Sequence, residues 1–260
     1  MTTLLDARDI TVRFGGVTAV DGVSLDISAG EIRGLIGPNG AGKSTLFNAI
    51  SGVTDCTTGR IEFDGRDISR LPVHRRAATG LRRTFQHVQL MQGRTVLENV
   101  LVGMHLAIPA NPLKSILSFG QGKSPDGAAR MRAREVMGFL GIEHTMLREV
   151  SSLTIAQQRL VEIARALVAA PKLLMLDEPC AGLSPPAVEQ LNRNLLRLKA
   201  EWGVTILLIE HVLPLVMNVC DRVAVLDNGR LIADGAPLEV MANPAVRLAI
   251  SAATMRRHDA

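Results

Sequence analysis

The feature that most constrains the fold of this chain is "GLIGPNGAGKST", residues 34–45. Gly37 and the run Gly42-Lys43-Ser44 fit the spacing G-x-x-x-x-G-K-[ST], with an apolar strand-like segment before it and a helix-like segment after it. Glycines at these positions let backbone amides converge on phosphate oxygens, and the helix N-terminus adds positive partial charge. The stretch therefore predicts a phosphate-binding loop between a strand and a helix; the alternative is a mere glycine turn.

The side chains of this loop predict the kind of phosphate compound it binds. Lys43 can reach β- and γ-phosphates, and the Ser44 hydroxyl can ligate Mg²⁺. We therefore predict a nucleoside triphosphate with Mg²⁺ as the ligand; ATP is the nucleotide implied by the family resemblance given below. The predicted nucleotide contacts in the loop are Gly37, Pro38, Asn39, Gly40, Ala41, Gly42, Lys43, Ser44 and Thr45.

A second chemical signal is the apolar run "KLLMLDEP", which ends in Asp177 and Glu178. Successive residues of a strand point to opposite faces, so the two carboxylates face different groups. We therefore predict a different role for each. Asp177 is predicted to hold Mg²⁺ through water, and Glu178 to orient or polarise an attacking water. By itself, such a pair is more often a solvated strand exit, but its position after the phosphate-binding loop favours the catalytic interpretation.

The rest of the chain alternates predicted strands and helices. Three strands are predicted within residues 4–36, a hairpin with its turn at Asp64-Gly65, a basic helix over 127–141 and a long connection over 107–126. This alternation predicts an α/β fold with a mostly parallel sheet covered by helices on both sides.

Composition excludes several classes of protein. No window reaches about 18 consecutive apolar residues, so no membrane span is predicted. A net charge of +4 is too small to indicate a nucleic-acid-binding protein. The three cysteines, Cys56, Cys180 and Cys220, are widely spaced and odd in number, which favours a reduced cytosolic interior.

With these motifs in place, the whole chain resembles the ATP-binding subunits of ABC transporters. The resemblance implies a single domain over 1–260: a P-loop NTPase (RecA-like) α/β core, an antiparallel β-subdomain, a helical subdomain near 88–165 and a C-terminal helical tail near 236–260. It implies three further site residues. Gln86 in "RRTFQ" would sense Mg²⁺ and the membrane partner, His211 in "LLIEH" would contact the γ-phosphate, and Phe14 in "VRFGG" would stack on adenine.

Plainer interpretations of these three residues stay open. Gln86 can be a surface glutamine, His211 a structural histidine and Phe14 a core or hairpin residue. Two departures from the family pattern also stand out. The family more often has tyrosine at the Phe14 position, and the loop "AGLS", residues 181–184, ends in serine where the family usually has Asp or Asn.

The stretch "LTIAQ", residues 153–157, aligns with the family signature LSGGQ, which faces the ATP held by a second subunit. The residues implied to contact that nucleotide are Thr154, Ala156 and Gln157. Ile155 and Ala156 replace two glycines. The backbone amides at these positions remain able to bind phosphate provided that both residues have negative φ. The alternative is an ordinary entry to a buried helix.

Within the family, the chain resembles the ATP-binding subunits of branched-chain amino acid importers. Three features carry this resemblance: the form "RTFQ", the long connection and the C-terminal "DGAPLEVMANPAV". Related amide and urea importers share these features. The implied activity is ATP hydrolysis coupled to transport. The implied partners are a second ATPase subunit, identical or different, transmembrane permease subunits and, indirectly, a solute-binding protein; no nucleic acid is expected. The implied location is peripheral, at the cytoplasmic face of the inner or plasma membrane.

Three rival classes of protein would show other sequence features. A soluble ABC ATPase of DNA repair or translation would normally show two cassettes or a coiled-coil insert. An ABC exporter, such as one for lipids, would usually have a shorter stretch after Gln86. A P-loop small-molecule kinase would need an arginine-rich lid, for which Arg75, Arg76, Arg82 and Arg83 are candidates; a solvated face is the preferred interpretation of those arginines.

Overall fold

The computed structural model describes residues 2–84, 88–105 and 125–255. Its strands are β1 (Thr3–Phe14), β2 (Val17–Ser28), β3 (Ile32–Ile36), β4 (Thr58–Phe63), β5 (Arg66–Asp67), β6 (Leu81–Arg83), β7 (Leu173–Asp177), β8 (Thr205–Ile209), β9 (Arg222–Asp227) and β10 (Arg230–Gly235). Its helices are α1 (Lys43–Ser51), α2 (Val73–Ala78), α3 (Val96–His105), α4 (Pro125–Phe139), α5 (Ile155–Leu167), α6 (Pro185–Trp202), α7 (Leu213–Val219), α8 (Pro237–Ala242) and α9 (Pro244–Met255).

A six-stranded sheet in the order β10-β9-β3-β8-β7-β6 forms the centre of the fold. Its strands are parallel except β10, which returns antiparallel to β9. Alternate residues of its central strands enter two different hydrophobic clusters: Leu173 and Met175 lie in one, and Leu174 and Leu176 lie in the other. Both faces are therefore covered, which explains why the strand sequences are continuously apolar.

A second sheet, antiparallel and in the order β2-β1-β4-β5, packs with α1 against one face of the central sheet. The predicted hairpin turn is confirmed, since Asp64 and Gly65 have φ of 51° and 71° between β4 and β5. These positive values at both central positions are those of a type I′ turn.

The other face of the central sheet carries most of the remaining helices, including α3, α4 and α5. Helices α3 and α5 approach so closely that a Cβ placed on Gly103 would lie 1.9 Å from the Arg165 carbonyl oxygen. Glycine at this position therefore permits the contact between the two helices. These helices fall inside the predicted helical subdomain, whose limits near 88 and 165 stay a prediction.

The predicted fold class is confirmed, with one correction that concerns the arginines. Arg76, Arg82 and Arg83 are not on a solvated face, because the first two are buried and the third is nearly so. The Arg76 guanidinium donates to the carbonyls of Ala49 and Ile50 at the C-terminal end of α1, where backbone acceptors lack helical partners.

Two further predictions lie partly beyond the described residues. The long connection 107–126 falls almost wholly outside them, and the C-terminal tail is described as far as Met255. Among the described residues, no helix is long and apolar enough to cross a membrane.

Candidate nucleotide site

The register of the central sheet brings the two predicted motifs to one edge. Leu35 of β3 and Asp177 of β7 both pair with Ile209 of β8, which lies between those strands. The same edge of the sheet therefore carries the loop after β3, the carboxylates at the end of β7 and His211 beyond β8. This is the carboxyl edge of parallel strands, where α/β sheets place ligands.

Two glycines of the loop are required by close packing. Gly37 has φ of 146°, and a Cβ there would lie 2.1 Å from the Leu226 carbonyl oxygen. Gly42 has φ of 97°, and a Cβ there would lie 2.4 Å from the Ala19 carbonyl oxygen. At both positions the backbone is left-handed, and a Cβ would clash with a main-chain carbonyl that cannot move aside. The shape of the loop therefore depends on glycine.

Helix α1 opens onto a cavity of about 350 Å³. Gly42 caps the helix without a side-chain hydrogen bond, and the Leu46 amide donates to the Gly42 carbonyl. The amides of Lys43, Ser44 and Thr45 stand in the first turn, where no preceding helical carbonyl is available. The cavity is lined by Ala19, Asn39, Gly40, Ala41, Gly42, Lys43, Ser44, Thr45 and Glu178.

The Lys43 side chain is buried and closes the loop. Its Nζ donates to the carbonyl oxygens of Gly37 and Pro38, at 2.8 and 2.9 Å. These bonds hold a positive charge on the wall of the cavity, where phosphate oxygens can replace the two carbonyls.

Asp177 is tied to α1 through Arg83. The Arg83 Nη2 atom lies 3.9 Å from the Asp177 Oδ2 atom, while Nη1 donates at 2.8 Å to both Asn48 Oδ1 and Ser51 Oγ. Burial raises the pKa of the Asp177 carboxyl, and Arg83 and Lys43 oppose that shift. One guanidinium thus fixes the carboxylate relative to the helix that begins at the phosphate-binding loop.

Glu178 has a strained backbone for a residue other than glycine, with φ of 46°. Its amide donates to the Ile209 carbonyl at 3.0 Å, which fixes the bend at the end of β7. Its Oε1 atom lies 3.9 Å from His211 Nδ1, and its side chain lines the cavity. The bend therefore turns the carboxylate toward the phosphate-binding loop and the histidine.

Buried Glu210 supports both sides of this arrangement. Its carboxylate accepts hydrogen bonds from the backbone amides of Cys180, His211 and Val212, at 2.8, 3.0 and 3.2 Å. It joins the loop after Glu178 to the segment that carries His211. Sequence reasoning overlooked both Glu210 and Arg83, although each lies within three residues of a predicted site residue.

The residues at this edge fit Mg²⁺. They offer a hydroxyl, Ser44, and a carboxylate, Asp177, and Mg²⁺ commonly takes only one or two protein oxygens beside water and phosphate. No group of three His, Cys, Asp or Glu side chains suited to a metal occurs among the described residues. A set of one hydroxyl and one carboxylate suits an ion that arrives with a nucleotide, whose phosphates supply further oxygens.

Of the remaining predicted residues, those that the structure describes do not line the cavity. Phe14 is the last residue of β1, next to the turn into β2, and its side chain is 54% exposed. Gln86 lies outside the described residues. Thr154, Ala156 and Gln157 lie at the N-terminus of α5 and do not line the cavity.

The N-terminus of α5 is closed by a capping box. Thr154 Oγ1 accepts from the Gln157 amide at 3.2 Å, and Gln157 Oε1 accepts from the Thr154 amide at 3.1 Å. Ile155 and Ala156 both have negative φ, so the condition for keeping their amides in helical geometry is met. The Ile155 side chain is 58% exposed, which places an apolar group beside these amides.

Comparison with known proteins places this site in a family. The family model described as ABC transporter matches residues 20–181. The chain is 40% identical over 250 residues to the high-affinity branched-chain amino acid transport ATP-binding protein BraF of Pseudomonas aeruginosa, with 94% of this chain and 95% of the relative covered. It is 37% identical over 240 residues to the probable branched-chain amino acid transport ATP-binding protein LivG of Methanocaldococcus jannaschii, with 92% of each chain covered.

A solved structure agrees with this assignment. The crystal structure of the ADP conformation of an ATP-binding cassette of an ABC transporter superposes with a TM-score of 0.83 at 36% identity, over 95% of this chain and 97% of that one. The chain therefore belongs to the ABC transporter family, as one of its ATP-hydrolysing, ATP-binding subunits.

Proposed function

We propose that this subunit powers the import of branched-chain amino acids through membrane-spanning partners. The observation that carries the proposal is the 40% identity to BraF over nearly the full length of both chains. The amide and urea importers remain the second candidate, because they share the sequence features that suggest the importer class.

In the proposed mechanism, ATP lies in the cavity at the start of α1. The amides of residues 39–45 and Lys43 bind its phosphates, and the exposed ring of Phe14 stacks on adenine. Ser44, Gln86 and, through water, Asp177 would hold Mg²⁺, and the ion would neutralise charge on the phosphates. Glu178 accepts a proton from, or orients, the attacking water, and His211 contacts the γ-phosphate.

The site is proposed to be completed by a second ATPase subunit. Thr154, Ala156 and Gln157 lie away from this chain's own cavity, which supports a role toward a nucleotide held elsewhere. The Thr154 hydroxyl accepts a bond within the capping box and keeps its proton for a phosphate oxygen. Binding of ATP would close the pair of subunits, and hydrolysis would open it.

The segment that follows Gln86 is proposed to receive a short helix of the membrane partner. Of its three apolar residues, Leu90 is buried in the core, Val88 is partly buried and Met91 is exposed. Among these three, Met91 is therefore the apolar side chain that is most available to a partner.

The test of the solute is reconstitution of the chain with the membrane proteins that co-purify with it, in vesicles supplied with ATP inside and the solute-binding protein outside. We expect uptake of leucine, isoleucine or valine that requires ATP. Vesicles containing ADP are the control. Uptake of urea or a short amide, with none of these amino acids, would replace the first proposal by the second.

The altered signature predicts a measurable effect on hydrolysis. Ile155 and Ala156 crowd the turn where amides approach phosphate, and loss of one well-placed donor costs about 3 kcal/mol, or about a hundredfold in rate. Since the amides are retained, we expect a smaller gain when both residues are changed to glycine. ATPase activity is measured alone and with the partner ATPase.

The partner decides which composite site responds. If the second subunit is different and has a glycine-containing signature, the nucleotide on this chain's own loop hydrolyses normally, and only the other site gains from the double change. If the subunits are identical, both sites gain equally. An unchanged or lower rate would show that "LTIAQ" is competent as it stands.

A further inference from the structure

Glu210 is a buried carboxylate that forms no ion pair within the described part of the chain. The residue is 0% exposed and directly follows β8. Its oxygens accept from main-chain amides instead: Oε1 accepts from Cys180, and Oε2 accepts from His211 and Val212. Amides grouped in this way bind an anion without supplying a full positive charge. The position of the carboxylate is therefore fixed by the backbone around it.

An apolar side chain would suit the packing at this position. Leu208, two residues earlier, lies in the hydrophobic cluster that includes most of the helices, and Cys180 belongs to the same cluster. Residues two apart on a strand share a face, so the strand pattern predicts another apolar side chain where Glu210 lies. Taking a carboxylate out of water is costly. The presence of Glu210 is therefore explained by what it holds rather than by packing.

The two oxygens of Glu210 hold two different segments at the carboxyl edge of the sheet. Oε1 holds the chain two residues beyond Glu178, and Oε2 holds the start of the segment that carries His211. A second bond joins the same two segments through main chain alone, from the Glu178 amide to the Ile209 carbonyl at 3.0 Å. The chain is thus held at the left-handed bend at Glu178 and again just beyond it.

These links set the separation between two side chains of the proposed mechanism. Glu178 Oε1 and His211 Nδ1 lie 3.9 Å apart, and the two side chains are 22% and 41% exposed. Side chains this open to solvent depend on the backbone that carries them for their relative position. Glu210 is not among the residues that line the cavity, so it acts on the site through the backbone of both segments.

We propose that Glu210 is a positioning residue for ATP hydrolysis, which holds Glu178 and His211 in the relative position that the reaction requires. The proposal rests on the proposed roles of those two side chains. The three bonds of Glu210 reach none of the residues of the phosphate-binding loop, so its contribution falls on the chemical step rather than on the binding of ATP.

The test is Glu210→Gln in the full chain, with hydrolysis measured as a function of ATP concentration. An amide has one accepting oxygen, so it can keep the bond to Cys180 or the bonds to His211 and Val212, and its NH₂ group then meets an N–H at the other end. A misplacement of about 1 Å can lower a rate by about a hundredfold. We expect kcat to fall by about tenfold or more, and the KM for ATP to stay within about twofold of the parent value.

Glu210→Asp separates the link between the segments from the charge, and it gives the answer if Glu210→Gln does not fold. Aspartate is shorter by one methylene, so it keeps a charge beside the amides of its own segment but cannot also reach Cys180. We expect kcat to fall in this variant as well. A parent value of kcat in Glu210→Asp would overturn the proposal, because the charge alone would then be sufficient.

Glu31→Gln is the matched control. Glu31 is also buried, its Oε2 atom accepts from the Ser28 amide at 2.7 Å, and its Oε1 atom lies 3.5 Å from Arg33 Nη1. It precedes β3, at the amino edge of the central sheet and away from the nucleotide site. Weakening this buried pair should lower the midpoint of thermal unfolding, while kcat stays within about twofold of the parent value.

Double-mutant cycles distinguish positioning from a general loosening of the fold. Single-turnover hydrolysis is measured for Glu210→Gln in the parent, in Glu178→Gln and in His211→Ala. A residue that acts through these side chains loses most of its effect once one of them is absent. We therefore expect Glu210→Gln to lower the rate by about threefold or less in either background.

An unchanged kcat in Glu210→Gln, or the full loss of rate in both backgrounds, would overturn the proposal. Failure of the proposed roles gives a different result, since Glu178→Gln and His211→Ala by themselves would then hydrolyse ATP at the parent rate. In that case Glu210 would also lose the groups through which it is proposed to act.

Discussion

Lys43→Ala is expected to abolish ATP turnover. The substitution removes a buried ammonium that already lies at hydrogen-bond distance from the loop carbonyls and that phosphate oxygens would engage. Electrostatic groups aimed at a transferring phosphoryl group commonly contribute about a hundredfold or more to the rate, and this group also contributes to binding. Nucleotide binding by titration calorimetry and phosphate release should therefore fall together.

Lys172→Ala is the matched control for this substitution. It removes the same charge from an exposed side chain that pairs with Asp64, far from the loop in the chain. Surface pairs of this kind contribute about 1 kcal/mol at most to stability, so turnover should stay close to that of the parent. If Lys43→Ala retained more than about a tenth of the parent rate, the phosphate contacts would have to be assigned to other groups.

The motifs at the carboxyl edge of the sheet could be predicted because their chemistry depends on residues next to one another in the chain. Gly37 to Thr45 form one continuous stretch, a loop and the first turn of α1, and Asp177 and Glu178 lie at the end of one apolar strand. Strand period and glycine spacing are local properties, so a single sequence reveals them. The sheet then brings these loops together through parallel pairing, which the alternation of strands and helices also predicts.

The contacts that orient those residues could not be predicted in the same way. Arg83 reaches Asn48 and Ser51 of α1 and Asp177 of β7, all of which lie far from it in sequence. Nothing in "RRTFQ" shows where its guanidinium points. The sequence alone therefore favours a solvated face for these arginines, because arginine is seldom buried without partners. Partners of this kind are visible only once the chain is folded.

Glu178→Gln is expected to leave ATP binding intact and to stop hydrolysis. The amide has nearly the same shape as the carboxylate, so the left-handed bend at this residue and its bond to the Ile209 carbonyl should persist. An amide cannot accept a proton from water, and general-base assistance contributes about a hundredfold to ten-thousandfold. We expect phosphate release to fall by at least about a hundredfold.

The variant should also accumulate the closed pair of subunits when ATP is added. Size-exclusion chromatography with ATP and Mg²⁺, alone and with the partner ATPase, should show a dimer that the parent forms only transiently. Glu189→Gln is the matched control, because this glutamate is exposed on α6 and lies 3.9 Å from Arg193, a distance at which an exposed pair contributes little.

The two readouts for Glu178→Gln locate the water-activating group. Hydrolysis at the parent rate would show that another residue polarises the water, and His211, 3.9 Å from the Glu178 carboxylate, would be examined next. Loss of hydrolysis together with loss of binding would show instead that Glu178 shapes the cavity it lines. Only loss of hydrolysis with binding retained assigns the chemical step to this carboxylate, since a group that acts in the transition state alone lowers the rate without weakening the ground-state complex.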